Sequence, residues 1–205
     1  TVDFSAGLDA DAARRDFTMN ALYATAGGEV LDPLGTGLAD AIARRIRFVG
    51  DPETRIREDY LRILRFFRFL ATVGDPAEGP DPDGLAACAA LAEGMDRLSR
   101  ERVGQEMRKL LAAPDPAPAL ATMAQAGILP HVLPGARVES LAPLVHVEAG
   151  SAPDWLARLA VLGGDDPAAA LRLSRAEERT LAGIRAAATS LATPAALGWR
   201  LGAGH

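Results

Sequence analysis

Between Tyr60 and Ala71 one series of apolar side chains runs through Tyr60, Ile63, Leu64, Phe67, Leu70 and Ala71. That is the i, i+3, i+4, i+7 spacing of one face of an α-helix. The polar remainder is a ladder at three-residue intervals, Asp59, Arg62, Arg65 and Arg68. The spacing predicts a helix over Asp59–Leu70 with one buried stripe and one charged stripe. Three residues fall short of a full turn, so the ladder drifts by roughly 60° per step, yet neighbours on it can act together. A chain carrying this helix must build a core against its apolar face.

The rest of the chain after Asp51 reads as helical. Ser99 is a candidate N-cap for a helix whose Val103, Met107, Leu110 and Leu111 share a face. Glu101 in its first turn and Arg108 and Lys109 in its last suit the helix dipole. Leu85–Ala92, Ala119–Ala126, Val138–His146, Asp154–Leu162 and Arg175–Leu191 are further helical stretches, with a Pro/Gly/Asp-rich loop over Gly74–Gly84 and a break at Pro114–Pro118. Before Gly50 the reading is mixed. Asp11–Arg15 suits a helical turn, Met19–Thr25 and Glu29–Leu31 flank a Gly27-Gly28 hairpin signal, Leu38–Arg44 suits a short helix and Ile46–Val49 a strand. The expected fold is mainly α, with a small α/β portion ahead of an all-helical remainder.

With 205 residues and 49% hydrophobic side chains, the chain can bury a substantial core. No apolar run is long enough to span a bilayer, so no membrane partner is expected. Thr1–Gly7 has neither the basic nor the apolar region of a signal peptide, and Thr1 is not a typical start. The one cysteine, Cys88, cannot form an internal disulfide; a buried thiol in a reducing cytoplasmic setting is expected. The net charge of −5 argues mildly against a nucleic-acid binder, but arginines crowd the stretch from Arg44 to Arg68. Because Lys109 is the sole lysine, this richness in arginine partly reflects composition.

Asp59 and Arg62 present a carboxylate acceptor beside a guanidinium donor. Cytosine and adenine each offer an exocyclic amine next to a ring-nitrogen acceptor, which complements such a pair. Uracil and guanine present the reverse order and would leave a buried charge unpaired, at about 1–3 kcal/mol or more. Reading an unpaired base by its Watson–Crick edge is a common mode of recognition. Taken alone, the same pair is equally a solvated ion pair worth ~0.3 kcal/mol. A second cluster, Arg14-Arg15-Asp16-Phe17-Thr18-Met19-Asn20-Ala21-Leu22, combines arginine forks suited to phosphate with Asp and Asn suited to ribose hydroxyls; alone, it could be a salt-bridged turn.

Taken together, these elements carry more. The Arg14–Leu22 run resembles the sugar-binding motif of the class II tRNA nucleotidyltransferase and poly(A) polymerase family. Asp32-Pro33-Leu34-Gly35, followed by Ile46–Pro52, resembles its hinge segment. Glu58-Asp59-x-x-Arg62-x-x-Arg65 resembles its base-selecting motif, and Glu101-Arg102-Val103-x-x-Glu106-x-x-Lys109-Leu110-Leu111 the motif that buttresses it. The motifs occur in the family's order within residues 11 to 111. The resemblance implies a CCA-adding enzyme that transfers CMP and AMP from CTP and ATP to the tRNA 3′ end. Asp59 and Arg62 would be the amino-acid template, and Arg15, Arg65 and Arg68 would hold phosphates or sugar, with Asp16 and Asn20 also at the nucleotide. It implies a division into residues 1–50 (part of a nucleotidyltransferase head), 51–112 (a neck with the base-selecting helix) and 113–205 (a helical body cradling the tRNA acceptor arm). Within the family, a poly(A) polymerase or a CC-only or A-only enzyme remains open; outside it, a non-catalytic helical RNA-binding module.

The family's reaction uses Mg2+ held by an Asp-x-Asp pair after a Gly-rich loop, and no such arrangement precedes residue 11. Catalytic carboxylates and Mg2+ ligands are therefore expected to be absent from this chain, which is expected to be a piece of a longer enzyme, incomplete beyond Gly202–His205 too, and inactive alone. Asp9-Ala10-Asp11 reads as helix entry, Asp81-Pro82-Asp83 as loop and Asp32 as a turn residue. His131, His146 and His205 are too scattered for zinc. The oligomeric state is not readable.

Overall fold

The computed structural model describes residues 4–189; residues 190 and 191 of the Arg175–Leu191 reading, the Gly202–His205 terminus and His205 lie outside the described residues. The chain opens with α1 (Phe4–Ala12) and a 3-10 turn (Thr18–Asn20), then a hairpin of β1 (Tyr23–Ala24) and β2 (Val30–Leu31), then α2 (Gly37–Ile42). The two strands pair antiparallel, Tyr23 opposite Leu31 and Ala24 opposite Val30. Gly28, at φ 86°, takes the left-handed turn position a side chain would resist. The Asp11–Arg15 reading is corrected: the helix lies earlier and ends at Ala12. The Ile46–Val49 strand is corrected too, since only Phe17 and Phe48 form an antiparallel bridge. Hydrogen bonds from Thr18 N–H to the Arg47 carbonyl and from Val49 N–H to the Asp16 carbonyl flank it; the 3-10 turn at Thr18 then ends the pairing.

From Asp51 on, the described structure is helical: α3 (Pro52–Glu58), α4 (Leu61–Val73), α5 (Pro82–Ala90), a 3-10 segment (Ala92–Arg97), α6 (Arg100–Leu111), α7 (Ala117–Gln125), α8 (Leu129–Val132), α9 (Leu141–Val147), α10 (Trp155–Leu162), α11 (Pro167–Ala170) and α12 (Arg175–Ala188). Most starts are chemically marked. Asp51 accepts from Thr54 N–H at 2.8 Å ahead of Pro52, and Asp81 from Gly84 N–H at 2.9 Å ahead of Pro82. Each aspartate satisfies an orphan helical N–H, and the proline has none to lose. The reading of Asp81-Pro82-Asp83 as loop is thereby corrected to a helix start. Ser99 caps α6 as expected, and Ser174 and Glu177 form a reciprocal capping box on α12.

The core is continuous. Phe17 and Phe48 pack at 5.0 Å between ring centroids, and Phe48 stacks on Phe66 of α4 at 5.5 Å. From there buried side chains continue through Met107 and Leu110 of α6 and Leu120 of α7 to Leu159 and Leu181. Through Phe17 and Phe48 the portion ahead of Gly50 is thus packed directly onto α4. Arg44, held at φ 52°, adds a polar tie by donating from Nε to the Val73 carbonyl at 2.9 Å. Cys88 is fully buried in this core, as expected, and burial pushes its thiol pKa up. No helix among the described residues is long and apolar enough to cross a membrane.

Candidate functional site

The helix expected over Asp59–Leu70 begins two residues later, at Leu61, and a break at Asp59 separates it from the helix before it. α3 ends at Glu58, Asp59 is extended at φ −156° and ψ 106°, and α4 starts at Leu61. The break has a local cause: the Asp59 carboxylate accepts from Leu61 N–H at 3.1 Å, offering the backbone an alternative to the helical ladder. It also has a distant cause, because Arg102 Nη2 on α6 reaches the other carboxylate oxygen at 2.7 Å. Asp59 therefore stands at the mouth of α4 rather than on its side. Arg62 follows in the first turn of α4, its N–H donating to the Asp59 carbonyl at 3.0 Å.

Arg62 and Arg65 converge on one partner, Asp16. Arg62 Nε donates to Asp16 Oδ1 at 2.8 Å, and Arg65 donates to Oδ2. Arg62 Nη1 also meets Glu58 Oε2 at 2.6 Å and the Arg55 carbonyl. Among the described residues this leaves Nη2 of Arg62 as the edge with no hydrogen-bond partner. Burial alone would lower the Arg62 pKa, but its bonds to Glu58 and Asp16 outweigh that and raise it above the ordinary value. Arg62, followed by Arg55, holds Glu58 below the usual carboxylate range. The result is a fixed cation beside a fixed carboxylate, both anchored from behind.

The other candidates lie apart from this pair in different ways. Arg15 turns to Asp11, at 2.7 Å, where the Tyr23 hydroxyl also donates at 2.7 Å; those two contacts, Tyr23 first, hold the Asp11 pKa down. Asn20 accepts from Phe17 N–H at 3.1 Å and so shapes the turn that follows Asp16. Arg68 turns to a different carboxylate from Arg62. Its Nε donates to Glu106 Oε2 at 2.7 Å, its guanidinium lies 4.5 Å from the Phe69 ring centroid, and Lys109 takes the second oxygen of buried Glu106 at 3.1 Å. Asp32 caps α2 through Gly37 and Leu38 N–H groups, as a turn residue would. Among the described residues no group of three or more His, Cys, Asp or Glu side chains converges on a metal-sized site.

Two participants carry no assigned role at the level of sequence: Arg102, which falls within the buttress motif, and Arg55, which is one of the arginines of the Arg44–Arg68 stretch. Arg55 precedes Glu58 by three residues, a helical spacing that signals their contact, whereas its link to Arg62 crosses the break at Asp59 and has no such signal. A concavity of about 430 Å3 is lined by Tyr60, Glu93, Asp96, Arg97 and His131 among others; neither Asp59 nor Arg62 lines it.

Comparison with known proteins agrees with the motif order. A profile of the Poly A polymerase head domain matches residues 1–47, and one described as a probable RNA and SrmB-binding site of polymerase A matches residues 80–139. The CCA-adding enzyme of Geobacillus stearothermophilus is 41% identical over 136 residues, 66% of this chain and 32% of that protein. The mitochondrial CCA tRNA nucleotidyltransferase 1 of Mus musculus is 36% identical over 131 residues, 64% of this chain and 30% of that protein. The chain thus spans about a third of the length of these curated relatives. Among solved structures, the Bacillus stearothermophilus CCA-adding enzyme in complex with CTP superposes with a TM-score of 0.76 at 31% identity, covering 95% of this chain and 51% of that one. A Thermotoga maritima CCA-adding enzyme complexed with tRNA shares the fold, with a TM-score of 0.64 at 22% identity. Fold, motif order and both profile matches converge: the chain belongs to the class II tRNA nucleotidyltransferase and poly(A) polymerase family, among whose members are the CCA-adding enzymes.

Proposed function

We propose that this chain is the base-selecting part of a CCA-adding tRNA nucleotidyltransferase, which transfers CMP and AMP from CTP and ATP to the tRNA 3′ end. The observation that carries the reading is the Asp59–Arg62 pair. Its acceptor is oriented by Leu61 N–H and Arg102, and its donor by Asp16 and Glu58. A carboxylate holds about four lone-pair sites, so Asp59 can still accept an exocyclic amine, while Nη2 of Arg62 can donate to the ring nitrogen beside it. Preorganised partners of this kind discriminate because the wrong base leaves them unpaired.

Arg65 and Asp16 lie next to the pair and are suited to the sugar and phosphates, with Asn20 shaping their loop; Arg15 and Arg68 would have to leave their carboxylate partners to join them. Residues 1–50, 51–112 and 113–205 are assigned as head portion, neck and tRNA-cradling body. The named complexes of similar proteins with CTP, ATP and tRNA support these substrates and partner. Mg2+ in the intact enzyme would supply activation of the attacking 3′-hydroxyl, but the described residues do not fit it, and no step through it is assigned to them. By themselves these residues are proposed not to catalyse addition. The buried Cys88 thiol suits a reducing compartment, and the cytoplasm is the assigned one. A poly(A) polymerase is the second reading, favoured by the match of both portions to polymerase A domains.

Equilibrium binding of CTP, ATP, UTP and GTP to the chain, with Asp59→Ala and Arg62→Ala alongside, tests the reading. Preference for CTP and ATP that either substitution abolishes supports it. ATP binding without CTP favours the poly(A) polymerase. RNA binding with no nucleotide preference would point to a non-catalytic module and overturn both.

A further inference from the structure

Arg55 does not enter the reading above, yet it is the most heavily committed side chain near the pair. It lies on α3 with 10% of its side chain exposed. Nη2 donates to the carbonyls of Arg14, at 2.6 Å, and Arg15, at 2.8 Å. Nη1 meets Glu58, and the Arg55 carbonyl itself accepts from Arg62 Nη1. Its Nε is buried with no partner. A buried guanidinium with an orphaned N–H is a net burden on folding where an apolar side chain of similar size would serve. Cohesion alone therefore gives a poor account of an arginine here.

The geometry gives a better one. The two carbonyls it grips belong to the residues immediately before Asp16, and the Asp16 carbonyl is fixed on its other side by Val49 N–H at 3.1 Å. Held at both ends, Asp16 has one way to lie, with an oxygen to each of Arg62 and Arg65. We propose that Arg55 is a positioning residue for base selection: by clamping the Arg14 and Arg15 carbonyls it fixes Asp16, and through Asp16 and Glu58 it sets which edge of Arg62 faces the base. The functional half of this inference rests on the nucleotide reading; the structural half does not. Lysine keeps the charge at position 55 but cannot bridge two carbonyls and a carboxylate as a planar fork does.

The test uses the 205-residue chain with Arg55→Lys, and with Arg158→Lys as a control at a buried arginine remote from the pair. Two quantities are read: the CTP-to-UTP affinity ratio, and amide hydrogen exchange at Val49 without nucleotide. In the lysine variant at 55 the ratio falls about tenfold and Val49 exchange rises about tenfold. The control loses thermal stability while keeping both. If the lysine variant does not fold, Arg55→Gln, whose amide can still donate to one carbonyl, takes its place. A variant that matches wild type within about twofold in both quantities, or whose ratio is unchanged while exchange rises, overturns the proposal. If wild type itself shows no preference, the nucleotide reading fails and the exchange alone decides whether Arg55 positions Asp16.

Discussion

Arg102 of α6 donates from Nη2 to Asp59 Oδ2 at 2.7 Å, across 43 residues of sequence. With Leu61 N–H on Oδ1, this contact aims the carboxylate from behind and leaves lone pairs outward. Replacing Arg102 with alanine removes the more distant anchor. Preference for CTP over UTP should fall about tenfold, the worth of one charge-assisted hydrogen bond, while Arg102→Lys keeps part of it. Titration calorimetry on both variants checks this. An unchanged preference in the alanine variant would show that Leu61 N–H suffices.

Glu106 is only 4% exposed and holds Arg68 at 2.7 Å and Lys109 at 3.1 Å. Truncating one partner of a buried pair strands the other. Glu106→Ala should lower unfolding stability by about 3 kcal/mol, whereas Lys109→Ala, whose side chain is largely exposed, should cost under about 1 kcal/mol. Urea melts of the two variants provide the comparison.

Glu58 titrates below its ordinary 4.5 because Arg62, then Arg55, stabilise its charge. A depressed folded pKa means that the contribution to stability is complete above about pH 4.5 and fades as pH drops through the folded value. The stability difference between wild type and Glu58→Gln should therefore be constant from pH 7 to pH 5 and shrink towards pH 3. Denaturation midpoints across that range measure it; a difference that grows in acid would refute the assigned ion pair.

Gly104 sits where a Cβ would lie 2.0 Å from the Leu171 carbonyl oxygen. The contact is to backbone, so neither side yields easily, and the gain in helix propensity from alanine cannot offset it. Gly104→Ala should destabilise the chain by about 1–3 kcal/mol, and its thermal midpoint should fall rather than rise.

Cys88 should be silent to thiol reagents in the folded chain, since it is fully buried and its pKa is raised. Its labelling rate should follow the unfolded population as urea is added. Rapid labelling in native buffer would contradict the packing of α5.

The sequence made the helical faces legible because burial is periodic: Val103, Met107, Leu110 and Leu111 are all buried as their spacing implies. It did not reveal the break at Asp59, because Tyr60 and Ile63 keep the helical rhythm across it and one decisive contact comes from Arg102. Nor could it tell one Asp-Pro from another. Asp81-Pro82 opens a helix, whereas Asp75-Pro76 makes a turn in which Asp75 accepts from Ala77 N–H. The difference lies in whether the following residues have a core to pack on. The candidate arginines were found by type and position, but which of them face Asp16 and which face Glu106 depends on helix packing that no local pattern encodes.

Arg158, 1% exposed, donates to the carbonyls of Leu111, Ala113 and Pro114 and to Glu148. Two greasy helices can slip past one another by a turn with little penalty, but a flat fork seated on three carbonyls admits a single alignment. That makes the end of α6 a keyed joint. Because the same helix carries Arg102 near its other end, the seating of α6 is indexed where it meets the far half of the bundle, and loosening that joint should cost stability before it disturbs Asp59.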